Sequence, residues 1–317
     1  MQTLIEHIRQ ELSNRPYSCA PTELYTAQTL YAGYKADDAS TYKTYFDIQV
    51  YDHYINSGKG YADTEEEALA RVLHDHNILR LLWEFLSQYD KRKVVGIMGG
   101  HGIKRTSKEY KNVVLLSKRL TESGSLMISG GGPGAMEATH LGALLAGYPD
   151  NSVDEAIEIL SVAPEFKDEL WLASAFSVIE RFPQTKYKSL SIPTWLYGHE
   201  PSTPFATHIA KLFDNSIRED TILTMAYGGI VYTPGSAGTT QEIFQEITQN
   251  HYLSYGFSSP MIFMGVDFWT KEMPMYTLLD VLVKRGRYKN LLLTLTDDIE
   301  EVEKVLVEFS LCCCTRI

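Results

Sequence analysis

Only four cysteines occur in 317 residues, and three of them, Cys312, Cys313 and Cys314, are adjacent. That arrangement gives neither a disulfide framework nor a zinc-ligand spacing. No apolar run is long enough to span a bilayer. The N-terminus, MQTLIEHIRQEL, lacks the unbroken apolar core of a signal peptide. The expectation is a cytoplasmic protein that does not engage a membrane. Positive charge is also scarce. The 29 Lys and Arg against 40 Asp and Glu leave a formal charge of −11, which argues against nucleic acid as a partner. The nine histidines form no HxxxH pattern, and His74-Asp75-His76 would fan out around a helix, so no metal is expected. There is no GxxxxGK(S/T) loop for ATP hydrolysis, no GxSxG elbow and no lysine in a recognisable pyridoxal context.

Two textures divide the chain. Residues 1–90 are rich in Tyr and charge, and read as a mainly helical extension. Leu4 to Leu12 suits a first helix. Glu65 to Tyr89 suits a longer one, because Ala68, Val72, Ile78, Leu81, Leu82 and Phe85 recur at helical spacing. Residues 91–317 instead alternate short apolar runs with helical stretches. The runs are VVGIM (94–98), SLMIS (125–129), IEILSV (157–162), IPTWLY (192–197), GIVYT (229–233), MIFMG (261–265) and LLLTL (291–295). Continuous apolar strands between helices predict an α/β fold, a doubly wound and mostly parallel Rossmann-like sheet.

Two glycine-rich turns leave such strands and open helices. The first is Gly130-Gly131-Gly132-Pro133-Gly134-Ala135-Met136. The second is Pro234-Gly235-Ser236-Ala237-Gly238-Thr239-Thr240-Gln241-Glu242. Glycine lets backbone approach a ligand, and the first N–H groups of a helix have no internal partner, so each turn is a candidate anion seat. Free N–H groups are expected at Gly238, Thr239 and Thr240. Gly99, Gly100 and His101 end the first strand, where ligands meet such sheets. Neither turn has the spacing of the dinucleotide fingerprint, and no cofactor is expected.

With these residues in view, GGGPGAMEA (130–138) and PGSAGTTQE (234–242) resemble the paired motifs GGGxxGxM and PGGxGTxxE of the LOG family. Those proteins are Rossmann-like cytokinin riboside monophosphate phosphoribohydrolases and nucleoside monophosphate nucleosidases. The resemblance runs from about Lys93 to Phe309. The stretch SIREDTILTMAYGGIVYTPGSAGT is most similar to the larger bacterial purine/pyrimidine monophosphate nucleosidases, which also carry extra N-terminal helical sequence. It implies a catalytic pair, Arg218 and Glu242. It also implies a nucleoside monophosphate as the small-molecule ligand, and a homodimer or higher homo-oligomer. Ser236 departs from the pattern, standing where the family has its second glycine.

On that reading the reaction is hydrolysis of an N-glycosidic bond, giving free base and ribose 5-phosphate. Glu242 would stabilise the oxocarbenium-like sugar and orient water, and Arg218 would hold phosphate or polarise the leaving base. Glu246, one turn further along the helix, is a candidate to share that face. Arg181, Lys186 and Lys188 form a small basic run that either edges the pocket or is solvated. The alternative is a non-catalytic nucleotide sensor or carrier on the same fold.

Overall fold

A computed structural model describes residues 12–311. The expected Leu4–Leu12 helix, apart from Leu12, and the cysteine triplet lie outside the described residues. Seven strands form one parallel sheet: β1 (Val94–Met98), β2 (Leu126–Ser129), β3 (Ser189–Ser191), β4 (His208–Ile209), β5 (Gly229–Tyr232), β6 (Pro260–Met264) and β7 (Leu292–Thr296). Their order is β4-β3-β2-β1-β5-β6-β7, and every pairing is parallel. The fold is therefore α/β and Rossmann-like. β1, β2, β5 and β6 are buried at every residue, which explains why they read as unbroken apolar runs instead of alternating ones.

The chain builds outward from β1 to β4 on one side, then restarts beside β1 with β5. The carboxyl ends of β1 and β5 thus border the switch point, where open α/β sheets form their ligand crevice. Register makes the junction tight. Met98 pairs with Tyr232, and just beyond, the Gly100 N–H donates to Pro234 O at 2.9 Å.

Two expected strands are corrected. IEILSV belongs to a helix, Asn151–Leu160, because Val153, Ala156 and Leu160 are its buried face at helical period. IPTWLY is not a strand either. β3 lies just before it, at Ser-Leu-Ser, a polar triplet with no apolar signature. Pro193 has no N–H for a ladder, and Trp195–Tyr197 tightens into a 3-10 turn.

Among the described residues, the N-terminal segment contains α1 (Ala27–Leu30), α2 (Phe46–Asn56) and α3 (Glu65–Leu86). Leu24, Ile78, Leu81, Leu82 and Leu86 share one apolar cluster with Ile128, Ile230 and Phe263 of the sheet. Tyr25 also adds an antiparallel bridge to Ile209 of the edge strand, with N–H to O distances of 3.0 and 2.7 Å. The segment is packed on the sheet through a shared core. No helix among the described residues is long and apolar enough to cross a membrane.

Candidate functional site

Three helices meet the crevice at their N-termini: α5 (Ala135–Leu144) after β2, α8 (Asn215–Met225) before β5, and α9 (Ala237–Tyr252) after β5. The crevice encloses about 350 Å³. It is lined by Gly99, Gly100, His101, Gly130–Gly132, Met136, Arg218, Ser236–Thr239 and Glu242, together with residues 193–202 of the loop after β3. Most of the residues singled out from the sequence are therefore in one place. Gly134, Gly235, Thr240 and Glu246 are outside its lining. Arg181 is also elsewhere, paired with Glu155 at 2.6 Å. A larger open groove, about 1050 Å³, lies beyond Pro234. Its lysines are largely engaged with carboxylates, Lys104 with Glu165 and Lys118 with Glu122, both at 2.6 Å.

The first turn is packed tightly. A Cβ on Gly130 would stand 2.0 Å from Nη2 of Arg218. Gly134 has φ +69, and a Cβ there would meet Gly100 O at 2.4 Å. The Gly131 N–H is taken by Ser129 Oγ at 3.1 Å, and that of Ala135 by Gly100 O at 3.3 Å. Glu137, in the same motif, is a fully buried structural anchor. It accepts from Arg105 Nε and Tyr110 Oη, each at 3.0 Å. His140 bonds Ser129 at 2.8 Å beneath the turn, and burial drives its pKa down to about 3, so it stays neutral.

The second turn is open, with Ser236, Ala237 and Gly238 exposed. The helix starts two residues earlier than the sequence suggests, which corrects the donor set. Thr240 is already in the helix. Its N–H donates to Ser236 O at 3.0 Å, and its hydroxyl reaches the same oxygen at 3.1 Å. The free N–H groups belong to Ala237, Gly238 and Thr239, which have no acceptor among the described residues. Ser236 is the N-cap at φ −121, a negative φ that does not call for glycine, and makes no side-chain cap bond.

Arg218 comes from the first turns of α8 and is almost buried. Its Nε donates to Ile192 O at 2.9 Å and its Nη2 to Gly130 O at 3.4 Å, and the residue lines the crevice. Glu242 is partly exposed there. Burial pushes its carboxyl up to about 7; the Arg218 charge opposes the shift and the nearby Glu219 adds to it. Glu219 itself is held by Asn215 at 2.8 Å and by Gln241.

Glu246 faces inward and does not share the crevice with Glu242. It is buried, accepts from Ser259 Oγ, and its carboxyl is also pushed up to about 7 by burial. Its Oε2 and the Tyr232 hydroxyl are both buried without a partner among the described residues. The backbone turn of α9 explains the split, since a residue four positions on is rotated by about 40° as well as raised.

Sequence reading missed the supports. Asp75 of α3 accepts the N–H groups of Phe213 and Asp214 at 2.9–3.1 Å, and His74 Nδ1 lies 2.8 Å from it. It thereby fixes the entry to the helix carrying Arg218. Asp47 of α2 receives Lys211 Nζ at 2.7 Å and Trp195 Nε1 at 2.8 Å, all three side chains buried. Buried charges with complete partners are the sort that order a loop. Glu200, which lines the crevice opposite the first turn, was also missed. A single acidic residue in a loop carries no pattern.

No family model matches the chain, and no curated protein matches it. The resemblance to LOG proteins is carried by its two motifs alone. Among solved structures, one described as the molybdenum cofactor binding protein from the phototrophic bacterium Rippkaea orientalis is similar at a TM-score of 0.42 and 12% identity. The match covers 68% of this chain and 95% of that one. The Chlamydomonas rheinhardtii Moco carrier protein is similar at 0.41 and 14%, covering 68% and 96%. At these scores the likeness has no weight for function, which rests on the crevice itself.

Proposed function

We propose that the crevice binds a nucleoside 5′-monophosphate and hydrolyses its N-glycosidic bond. The observation that carries this is the pairing, on one helix, of an open anion seat at Ala237–Thr239 with the carboxyl of Glu242. They are about 5 Å apart along the axis at 1.5 Å per residue. A phosphate on the seat would gain three N–H donors and the helix dipole. Its sugar would then lie beside Glu242 and Arg218.

A carboxyl titrating near 7 serves two ends. As carboxylate it stabilises positive charge developing on the sugar and orients the attacking water. It then takes that water's proton as the base departs with the C–N electron pair, and the base gains a proton from solvent. Arg218 would hold an oxygen or ring nitrogen of the ligand, while its bonds to two backbone carbonyls keep the fork still. Incubation with AMP, GMP, CMP and UMP, followed by chromatography of released base, tests the reading. Release that persists in folded Glu242→Gln would remove Glu242 from the chemistry.

A second reading, binding and carriage without turnover, is favoured by one feature. Two of the donor nitrogens of Arg218 are spent on backbone carbonyls, which suits a fixed wall more than a group that follows a reacting atom. Tight nucleotide binding with no base released under any condition would select this reading.

A further inference from the structure

The loop between β3 and β4 brings an aromatic ring and a carboxylate to the crevice on a single turn. The Glu200 N–H donates to Tyr197 O at 2.8 Å, and the Gly198 N–H to Trp195 O at 3.0 Å. The turn is rigidly seated. Trp195 is fully buried and stacks on Phe213 at 4.4 Å, and a Cβ on Gly198 would strike the Tyr51 ring at 2.3 Å. Tyr197 nevertheless remains 46% exposed while lining the crevice, and its ring has no aromatic partner among the described residues. The Glu200 side chain is only 16% exposed, yet the basic groups beside it are two imidazoles, His101 Nδ1 at 3.4 Å and His199 Nε2 at 3.9 Å, both on Oε1. Its Oε2 faces the first glycine turn, 3.6 Å from where a Gly132 Cβ would stand.

These placements make the two ends of the crevice unlike. The α9 end offers donors to an anion. The α5 end is guarded by a carboxylate that repels an anion and seeks N–H groups. Resting on the nucleotide reading above, we infer that Tyr197 and Glu200 form the seat of the ligand's base, and that they select a base whose edge presents two adjacent N–H donors, as guanine does. The ring stacks on Tyr197, and the two carboxylate oxygens take the ring N–H and the neighbouring amino group. Hypoxanthine keeps only the first donor, and the loss leaves one Glu200 oxygen short of a partner in a largely enclosed site.

Calorimetric titration of the full chain with GMP, IMP and ribose 5-phosphate tests this. GMP should bind at least about tenfold more tightly than IMP. In Glu200→Gln that ratio should fall below about threefold, with the affinity for ribose 5-phosphate unchanged. Tyr197→Ala should weaken both nucleotides roughly tenfold and leave ribose 5-phosphate alone, which also shows that the variant is folded. Equal binding of GMP and IMP by the unaltered protein would overturn the inference while leaving the phosphate seat standing. So would a Glu200→Gln protein that loses ribose 5-phosphate as much as GMP, because the carboxylate would then hold the sugar. If ribose 5-phosphate and both nucleotides all fail to bind, the phosphate seat itself is wrong and the base seat falls with it.

Discussion

The two glycine turns look alike in sequence and are built for different work. In the turn after β2, Gly130, Gly131 and Gly134 are buried and each lies against another part of the frame: the Arg218 guanidinium, Ser191 and the Gly100 carbonyl. In the turn after β5, Gly235 is equally close-packed, its would-be Cβ 2.2 Å from Thr239 Oγ1, but Gly238 has nothing within 4 Å, and Ser236 has a negative φ that does not call for glycine. The glycines of the first turn thus mark close approach throughout, whereas the second turn combines one such contact with an exposed helix start. The first turn is packed into the frame, and the second opens onto the crevice.

Substitution at Gly134 should break the fold of the first turn most sharply. Gly134→Ala combines a left-handed backbone with a Cβ 2.4 Å from Gly100 O, and should lower unfolding free energy by about 4 kcal/mol in urea titration. A loss under about 1 kcal/mol would mean that the turn is not the rigid member of the pair. At the open turn the large effect should be on rate and not on stability. Glu242→Gln is expected to lower turnover about a hundredfold with a urea midpoint that does not fall. Because Glu242 titrates near 7, kcat/KM should rise with pH up to about 7 and level above it. The Gln variant's residual rate should show no such rise.

The frame extends to the N-terminal segment. Asp75→Asn removes a charge that holds the Phe213 and Asp214 N–H groups, and should cost roughly 2 kcal/mol. Ribose 5-phosphate affinity should follow only weakly, since the α9 seat does not touch Asp75.

Glu246 supplies a smaller contrast with Glu242 on the same helix. Its folded pKa, about 7, lies above the value of 4.5 expected when unfolded. The folded state thus holds the extra proton between those values. Its contribution to stability is full below about 4.5 and is lost as pH rises through about 7. Glu246→Gln should flatten that fall by roughly 1–3 kcal/mol in urea midpoints taken at pH 5 and pH 8. An unchanged pH dependence would show that this carboxyl is hydrated in the folded protein. The smallest effect belongs to Gly238→Ala, which should change stability by no more than about 0.5 kcal/mol. A large loss there would erase the distinction between the turns.

Sequence by itself determined the α/β class and five of the seven strands, because strands buried on both faces must be apolar throughout. It also located both turns, through their clustered glycines at strand ends, while Arg218 and Glu242 as a pair were only what the resemblance to LOG motifs implied. It misplaced the loop after β2 and the strand at Ser189–Ser191, where a helix can carry isoleucines and an internal strand can be polar. Only tertiary structure decided which N–H groups of α9 are free, since that depends on where the helix begins. It also turned Glu246 away from the crevice that Glu242 faces, a matter of rotation about one axis. Finally, it placed Glu200, Asp75 and Asp47 around the site from one loop and two helices far apart in the chain. No local pattern records such a meeting, because the forces that create it act only once the core has closed.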